Sequence, residues 1–188
     1  MHLVNRLIER EESALIELMN EYGDYLLRTA YLLVKDHQIA EEAVQDTFMT
    51  AFDKINQLDD PSKLKSWLTS IAVNRCRTQM RKWNWKNIFL NLEIVEKVKE
   101  DNSVQSPEDD LLVEVWNQNL SNAIQKLDYK YREVITLFYF SEFKIHEIAN
   151  QTNTKESTIK SRLKRGRILL KEILMEGEDF TDGRQETI

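Results

Sequence analysis

Between residues 63 and 92 the chain carries seven Lys or Arg side chains and no acidic one. At about 100° per residue, Ser70, Asn74, Arg77 and Arg81 fall on one helical face. Leu64, Trp67, Leu68, Ile71, Ala72 and Cys76 gather on another. A helix of this kind buries one stripe and presents an amide together with two guanidinium groups. Guanidinium groups suit phosphate oxygens, and an Asn side chain can donate to and accept from a base edge. Lys63, Lys65, Lys82 and Lys86 extend the positive field. Thirty residues without an acid favour nucleic-acid contact over an ordinary solvated basic face. Trp67 lies on the apolar stripe and reads as core. Trp83 and Trp85 lie beyond it and fit either core packing or base stacking.

A second basic stretch, residues 155–171, has net charge +6 and a more specific pattern. Ile145, Ile148 and Ala149 mark a short helix, Gln151 to Thr154 a turn, and Ile159, Leu163, Gly166 and Leu170 the inner face of a following helix. A small residue where two helices touch, with an apolar one ten positions on, is helix-turn-helix spacing. Asn153 occupies the turn position that favours a left-handed backbone, which Asn adopts more readily than most residues. Thr154 is the expected N-cap of the second helix. Opposite its buried stripe lie Ser157, Lys160, Ser161, Lys164 and Lys171, flanked by Arg162 and Arg165. Short hydroxyls permit close approach to a major groove, while Lys and Arg reach bases and phosphates.

Helices must position these groups. Most of residues 5–92 read as helical, with breaks near Lys35–His37 and Asp59–Ser62. Over Gln38–Ile55, apolar residues at Ile39, Ala43, Val44, Phe48, Ala51, Phe52 and Ile55 define one buried face, with Asp36 as a candidate cap. The opposite face presents Glu42, Gln45, Asp46, Met49 and Asp53. Periodicity fails between Leu92 and Ser106, where acids accumulate. It resumes at Ser106-Pro107-Glu108-Asp109, a strong helix-start signal. The expected fold class is all-α, with two small helical domains, residues 1–92 and 107–175. A flexible acidic linker (93–106) joins them, the second is a helix-turn-helix domain, and an acidic, disordered tail (176–188) follows.

The whole chain of 188 residues has net charge −6. That total hides a mosaic. Residues 1–62 give −8, 63–92 give +7, 93–114 give −6, 115–154 give 0, and the last seventeen give −5. One cysteine, Cys76, excludes a disulfide framework and a Cys-rich zinc site. His146 and Glu147 open an HExxH-like string, but Asn150 stands where the second ligand belongs. No Gly-rich phosphate loop and no identifiable nucleophile–base pair occur, so neither enzyme activity, a cofactor, a metal nor a small-molecule substrate is expected. No apolar run approaches the ~20 residues of a membrane span or the core of a secretion signal, so a cytoplasmic location is expected.

Taken together, the pattern resembles the extracytoplasmic-function (ECF) sigma factors of bacterial RNA polymerase. AEEAVQDTF (40–48) is similar to that family's core-binding helix, SWLTSIAVNRCRTQMRK (66–82) to its −10 element helix, and IHEIA with STIKSRLKRGR (145–149, 157–167) to its −35 reader. The resemblance implies that Val44, Gln45, Asp46 and Phe48 lie at or beneath a surface gripping core RNA polymerase. It implies that Asn74, with Asp60, Ser62, Lys63 and Lys65 of the loop before its helix, helps recognise an unstacked base of the melted −10 element. Arg77, Arg81 and Lys82 would hold the backbone nearby. Ser157, Thr158, Lys160, Ser161 and Arg165 would approach −35 bases, with Arg162 and Lys164 on phosphates. Promoter DNA and core polymerase are the implied partners. An anti-sigma factor, membrane-bound for many members, is a third. Thr78, Asp128 and Ser157 depart from the family's usual Asp, Pro and Gly at those positions. Two other readings remain at this point: a stand-alone helix-turn-helix regulator and a helical adaptor that binds only protein.

Overall fold

A computed structural model describes the backbone of residues 2–93 and 118–182 and the side chains of residues 2–82 and 118–176. Among these residues all regular structure is helical. The expected acidic linker and the Ser106–Asp109 helix start lie outside the described residues, as do the side chains of Trp83 and Trp85.

The first half comprises α1 (His2–Ile8), α2 (Glu12–Val34), α3 (His37–Lys54) and α4 (Leu64–Glu93). Lys35 ends α2 in a left-handed conformation, its N–H donating to Tyr31 O at 2.9 Å. Asp36 then caps α3 as expected, its carboxylate accepting from the Ile39 N–H at 2.8 Å. Two 3₁₀ turns, Ile55–Gln57 and Pro61–Lys63, carry the chain to α4. Asp60 shapes the second turn by accepting from both the N–H (2.9 Å) and the hydroxyl (2.7 Å) of Ser62. These bonds hold its carboxyl below the ordinary carboxylate range. Leu68, Ala72, Val73 and Cys76 of α4 are fully buried, with Leu26, Leu33, Ala43 and Ala51 of α2 and α3.

The second half comprises α5 (Gln118–Lys126), α6 (Tyr129–Ile135), α7 (Ile145–Thr152) and α8 (Glu156–Asp182). α6 runs into a π-helical turn, Thr136–Phe140. α7, the Asn153 turn and α8 form the helix-turn-helix, and Asn153 is left-handed with φ 48°. Ile148, Ala149, Ile159 and Leu163 are buried between its helices. Two expectations are corrected. Thr154 does not cap α8: its hydroxyl donates back to Thr152 O at 3.1 Å, and Lys155 O accepts the first N–H bonds, from Thr158 and Ile159. Residues 176–182, expected within a disordered tail, continue α8 to Asp182. The buried apolar residues of both halves, Ala123 apart, belong to one continuous cluster.

Candidate nucleic-acid and polymerase interface

Three surfaces carry the residues singled out from sequence. On α3, Gln45 and Asp46 are exposed, while Val44 and Phe48 are buried. The buried pair therefore sets the helix on the core, and the exposed pair is what a partner can touch. Met49, one turn beyond Gln45, is 61% exposed. An apolar side chain held in water among polar neighbours suits a protein interface.

On α8, Ser157, Lys160, Ser161, Lys164 and Arg165 are exposed, and Thr158 and Arg162 are half-buried on the flanks. The Ser161 hydroxyl donates to Ser157 O at 2.9 Å, which keeps this face narrow. Gly166 allows α8 to approach α6: a Cβ there would meet Ile135 Cγ1 at 3.1 Å. That close crossing turns the basic face outward.

α4 is different. Asn74 is exposed, but Arg77 is half-buried and engaged by the second half of the chain. Its Nε donates to Glu133 Oε1 at 2.7 Å, and its Nη1 donates to Gln151 O at 2.6 Å. Asn74 Oδ1 accepts from Arg77 Nη1 (3.2 Å) and from Gln151 Nε2 (3.3 Å). Gln151 Nε2 also donates to Ser70 O at 2.9 Å. Ser70, Asn74 and Arg77, expected to meet nucleic acid, are thus bonded to α6 and the end of α7, while Asn74 stays exposed. Arg81 and Lys82 further along are exposed. Lys63 pairs loosely with Asp60 at 3.9 Å, and Lys65 lies over the Tyr25 ring at 4.3 Å. Trp67 is half-buried against the core, as its place on the apolar stripe implied.

A cleft of about 460 Å³ runs between the two halves, with Asp60, Lys63, Ser66 and Trp67 on one wall and Glu147, Asn150 and Gln151 on the other. Sequence reasoning missed Glu133 and Gln151. It also missed Arg132, whose guanidinium donates to Leu33 O, Gln125 O and Leu127 O. Among the described residues, no group of three or more His, Cys, Asp or Glu is placed to hold a metal ion. Among the same residues, no helix is long and apolar enough to cross a membrane.

The Sigma-70 region 2 family matches residues 18–86, and the Sigma-70 region 4 family matches residues 117–170. Over 161 residues the chain is 30% identical to the ECF RNA polymerase sigma factor SigM of Bacillus subtilis (strain 168), covering 86% of this chain and 95% of that protein. The chain belongs to the ECF sigma factors. It is also 29% identical over 177 residues to SigW of the same organism, covering 91% of this chain and 94% of SigW. Among solved structures it is similar to the sigma factor RpoE in complex with the anti-sigma factor NepR from Bartonella quintana. The TM-score is 0.63 and the identity 30%, covering 85% of this chain and 97% of that one. This ECF sigma factor therefore carries α2 to α4 as its region 2 and α5 to α8 as its region 4. The regulator and adaptor readings are not favoured, because a region 2 match accompanies the helix-turn-helix.

Proposed function

We propose that this sigma factor docks α3 on core RNA polymerase through Gln45, Asp46 and Met49, with Val44 and Phe48 holding that helix from beneath. α8 enters the major groove of the −35 element, where Lys160, Ser161 and Arg165 meet base edges. Ser157 and Thr158 approach closely at its N-terminus, and Arg162 and Lys164 hold phosphates. α4 and the Asp60–Lys65 loop take the melted −10 strand. Asn74 hydrogen-bonds an unstacked base, and Arg77, Arg81 and Lys82 hold the backbone. The chain acts without chemistry of its own, in the cytoplasm, and an anti-sigma factor restrains it, as NepR binds RpoE in the similar structure. The observation that carries this reading is the row Ser157, Lys160, Ser161, Lys164 and Arg165, left exposed on α8 directly after the left-handed Asn153 turn.

Transcription by purified core polymerase with the added chain tests it, with start sites sequenced from genomic template. Lys160→Ala is expected to weaken −35-dependent initiation by roughly 1–3 kcal/mol, as for loss of a base contact. A loss spread equally over all sequences would make Lys160 a phosphate contact. Asn74→Ala is expected to impair open-complex formation more than initial binding, and permanganate footprinting of the melted region reads that difference. If no promoter-dependent transcript appears with core polymerase, the reading fails.

A further inference from the structure

We infer that Arg75 is a positioning residue that fixes the crossing of α4, the −10 helix, on α3, the polymerase-docking helix. The inference rests on the roles proposed above for Asn74 and for Gln45, Asp46 and Met49.

Arg75 follows Asn74 on α4, about 100° further round the helix, so the two side chains serve different neighbours. Arg75 is half-buried, and its Nη2 donates to the Thr50 hydroxyl at 2.6 Å. That hydroxyl, also half-buried, donates in turn to Asp46 O at 2.6 Å. A charged donor, a hydroxyl and a carbonyl thus form a chain in which each bond polarises and strengthens the next. The chain ends on the backbone of Asp46, whose side chain stands exposed on the docking face with Gln45 and Met49. It begins on the residue next to Asn74. One short relay therefore joins the docking helix to the helix that carries the base reader.

The rest of the crossing lacks that directionality. Ala40, Ala43 and Ala51 on the inner face of α3 are fully buried, as are Leu68, Ala72 and Cys76 on that of α4. Apolar burial is non-directional, and small side chains bring two helices close without choosing one register. A hydrogen bond weakens steeply once its angle or distance departs from a narrow range. Arg75 thus holds α4 at one height and rotation on α3. The two 3₁₀ turns between these helices include Ser62 and Lys63, with Asp60 as the cap of the second. A slide of either helix would displace this −10 loop together with Asn74. Polymerase grips α3 and the melted strand meets α4, so the alignment of one with the other passes through this crossing. Loss of Arg75 leaves the docking side chains in place and lets the −10 face drift. The defect then falls after docking, at melting.

The test uses the full chain carrying Arg75→Met and, separately, Thr50→Val, with far-UV circular dichroism confirming that each is folded. Fluorescence anisotropy of the labelled chain reads affinity for purified core polymerase. Time-resolved permanganate footprinting of the holoenzyme on a mapped promoter reads open-complex formation. Both variants are expected to bind core as the parent does and to form open complexes about tenfold more slowly, the scale of one lost charged hydrogen bond. The double variant should match either single one within about twofold, because both changes break the same chain. Arg75→Lys, which keeps the charge and a donor without the fork, should restore part of the rate. If core affinity falls by the same factor as open-complex formation, Arg75 only supports the fold and the positioning role is overturned. An unchanged rate in both variants overturns it as well. Asp46→Ala and Asn74→Ala judge the underlying reading in the same assays. If these two act on core binding and melting while Arg75→Met does not, the positioning role alone falls. If neither acts, the reading falls and the positioning role with it.

Discussion

Arg132→Met isolates the guanidinium that ties the two halves together. Arg132 is 4% exposed, and methionine keeps most of its aliphatic bulk while offering no donor. The native group donates from Nε and Nη2 to Leu33 O at 3.2 and 2.8 Å, and from Nη1 to Leu127 O at 2.9 Å and Gln125 O at 3.3 Å. Leu33 lies in the last turn of α2, and Gln125 and Leu127 at the end of α5. One cation thus satisfies carbonyls at two helix C-termini, where the helix dipole also favours positive charge. Removing it strips partners from two well-placed buried acceptors, at ~1–3 kcal/mol each. Against this stands the relief of no longer burying a charge, which lowers the Arg132 pKa and which apolar replacements recover to the extent of ~1–4 kcal/mol. Because the acceptors are helix-end carbonyls that cannot turn away, the loss outweighs the relief, and a net cost of about 2–3 kcal/mol is expected. Urea unfolding followed by circular dichroism and tryptophan fluorescence reads it. With a slope of ~2 kcal/mol per molar, the midpoint should fall by about 1 M. Arg132→Lys keeps the charge without the fork and should lie between the two. A midpoint for Arg132→Met within ~0.2 M of the parent would refute the capping argument.

The glycines give an internally controlled pair. Nothing lies within 4 Å of a Cβ built on Gly23, so Gly23→Ala should stabilise by ~0.5–1 kcal/mol through helix propensity alone. Gly166→Ala would press on Ile135 Cγ1 near the root of that side chain, so overpacking should cancel or exceed the same gain. Gly23→Ala should raise the thermal midpoint, while Gly166→Ala should leave it unchanged or lower it. Cys76 is fully buried, and burial pushes its thiol up to about 12. Native protein at pH 8 should therefore resist a thiol reagent until urea unfolds it. The raised folded pKa makes the associated stability complete below the unfolded value near 9, lost as pH rises from there toward 12. Asp60 has the opposite sign. Its folded pKa lies below the ordinary 3.8, so the Ser62 bonds support the loop above that value and are lost as pH falls through the depressed one. The Ser62 amide shift in an NMR titration should follow that loss, and Asp60→Ala should abolish the transition.

Features encoded within one or two turns of chain were legible in the sequence. The three-and-four spacing of Ala43, Val44, Phe48 and Ala51 located α3 and its buried face, and Asp36 marked its start. The small and apolar pair Ala149 and Ile159, with Asn153 between them, located the helix-turn-helix and its left-handed residue. Thr154 was misjudged for a related reason. Capping is decided by which backbone turns helical first, and a hydroxyl one residue too early finds a different acceptor, Thr152 O. The missed residues are of another kind. Arg77 and Glu133 are 56 positions apart and Arg132 and Leu33 are 99, so no period or local motif links them.

Charge arithmetic hid the same contact. Residues 115–154 sum to zero, so the segment's charge gives no sign of it. Within that zero, Arg132 and Glu133 are adjacent, opposite in sign, both buried, and turned toward different elements of region 2. The cation caps α2 while the anion meets Arg77. A neutral sum therefore conceals a directed pair, and its response to salt differs from that of the acidic surroundings. Diffuse acidity lowers affinity for every nucleic acid at long range and fades with added salt. A buried carboxylate at 2.7 Å from one guanidinium acts on that guanidinium alone and is screened far less. Salt dependence thus separates the two contributions. Raising ionic strength should erase the general repulsion between DNA and the acidic segments, while the Glu133–Arg77 contact should persist.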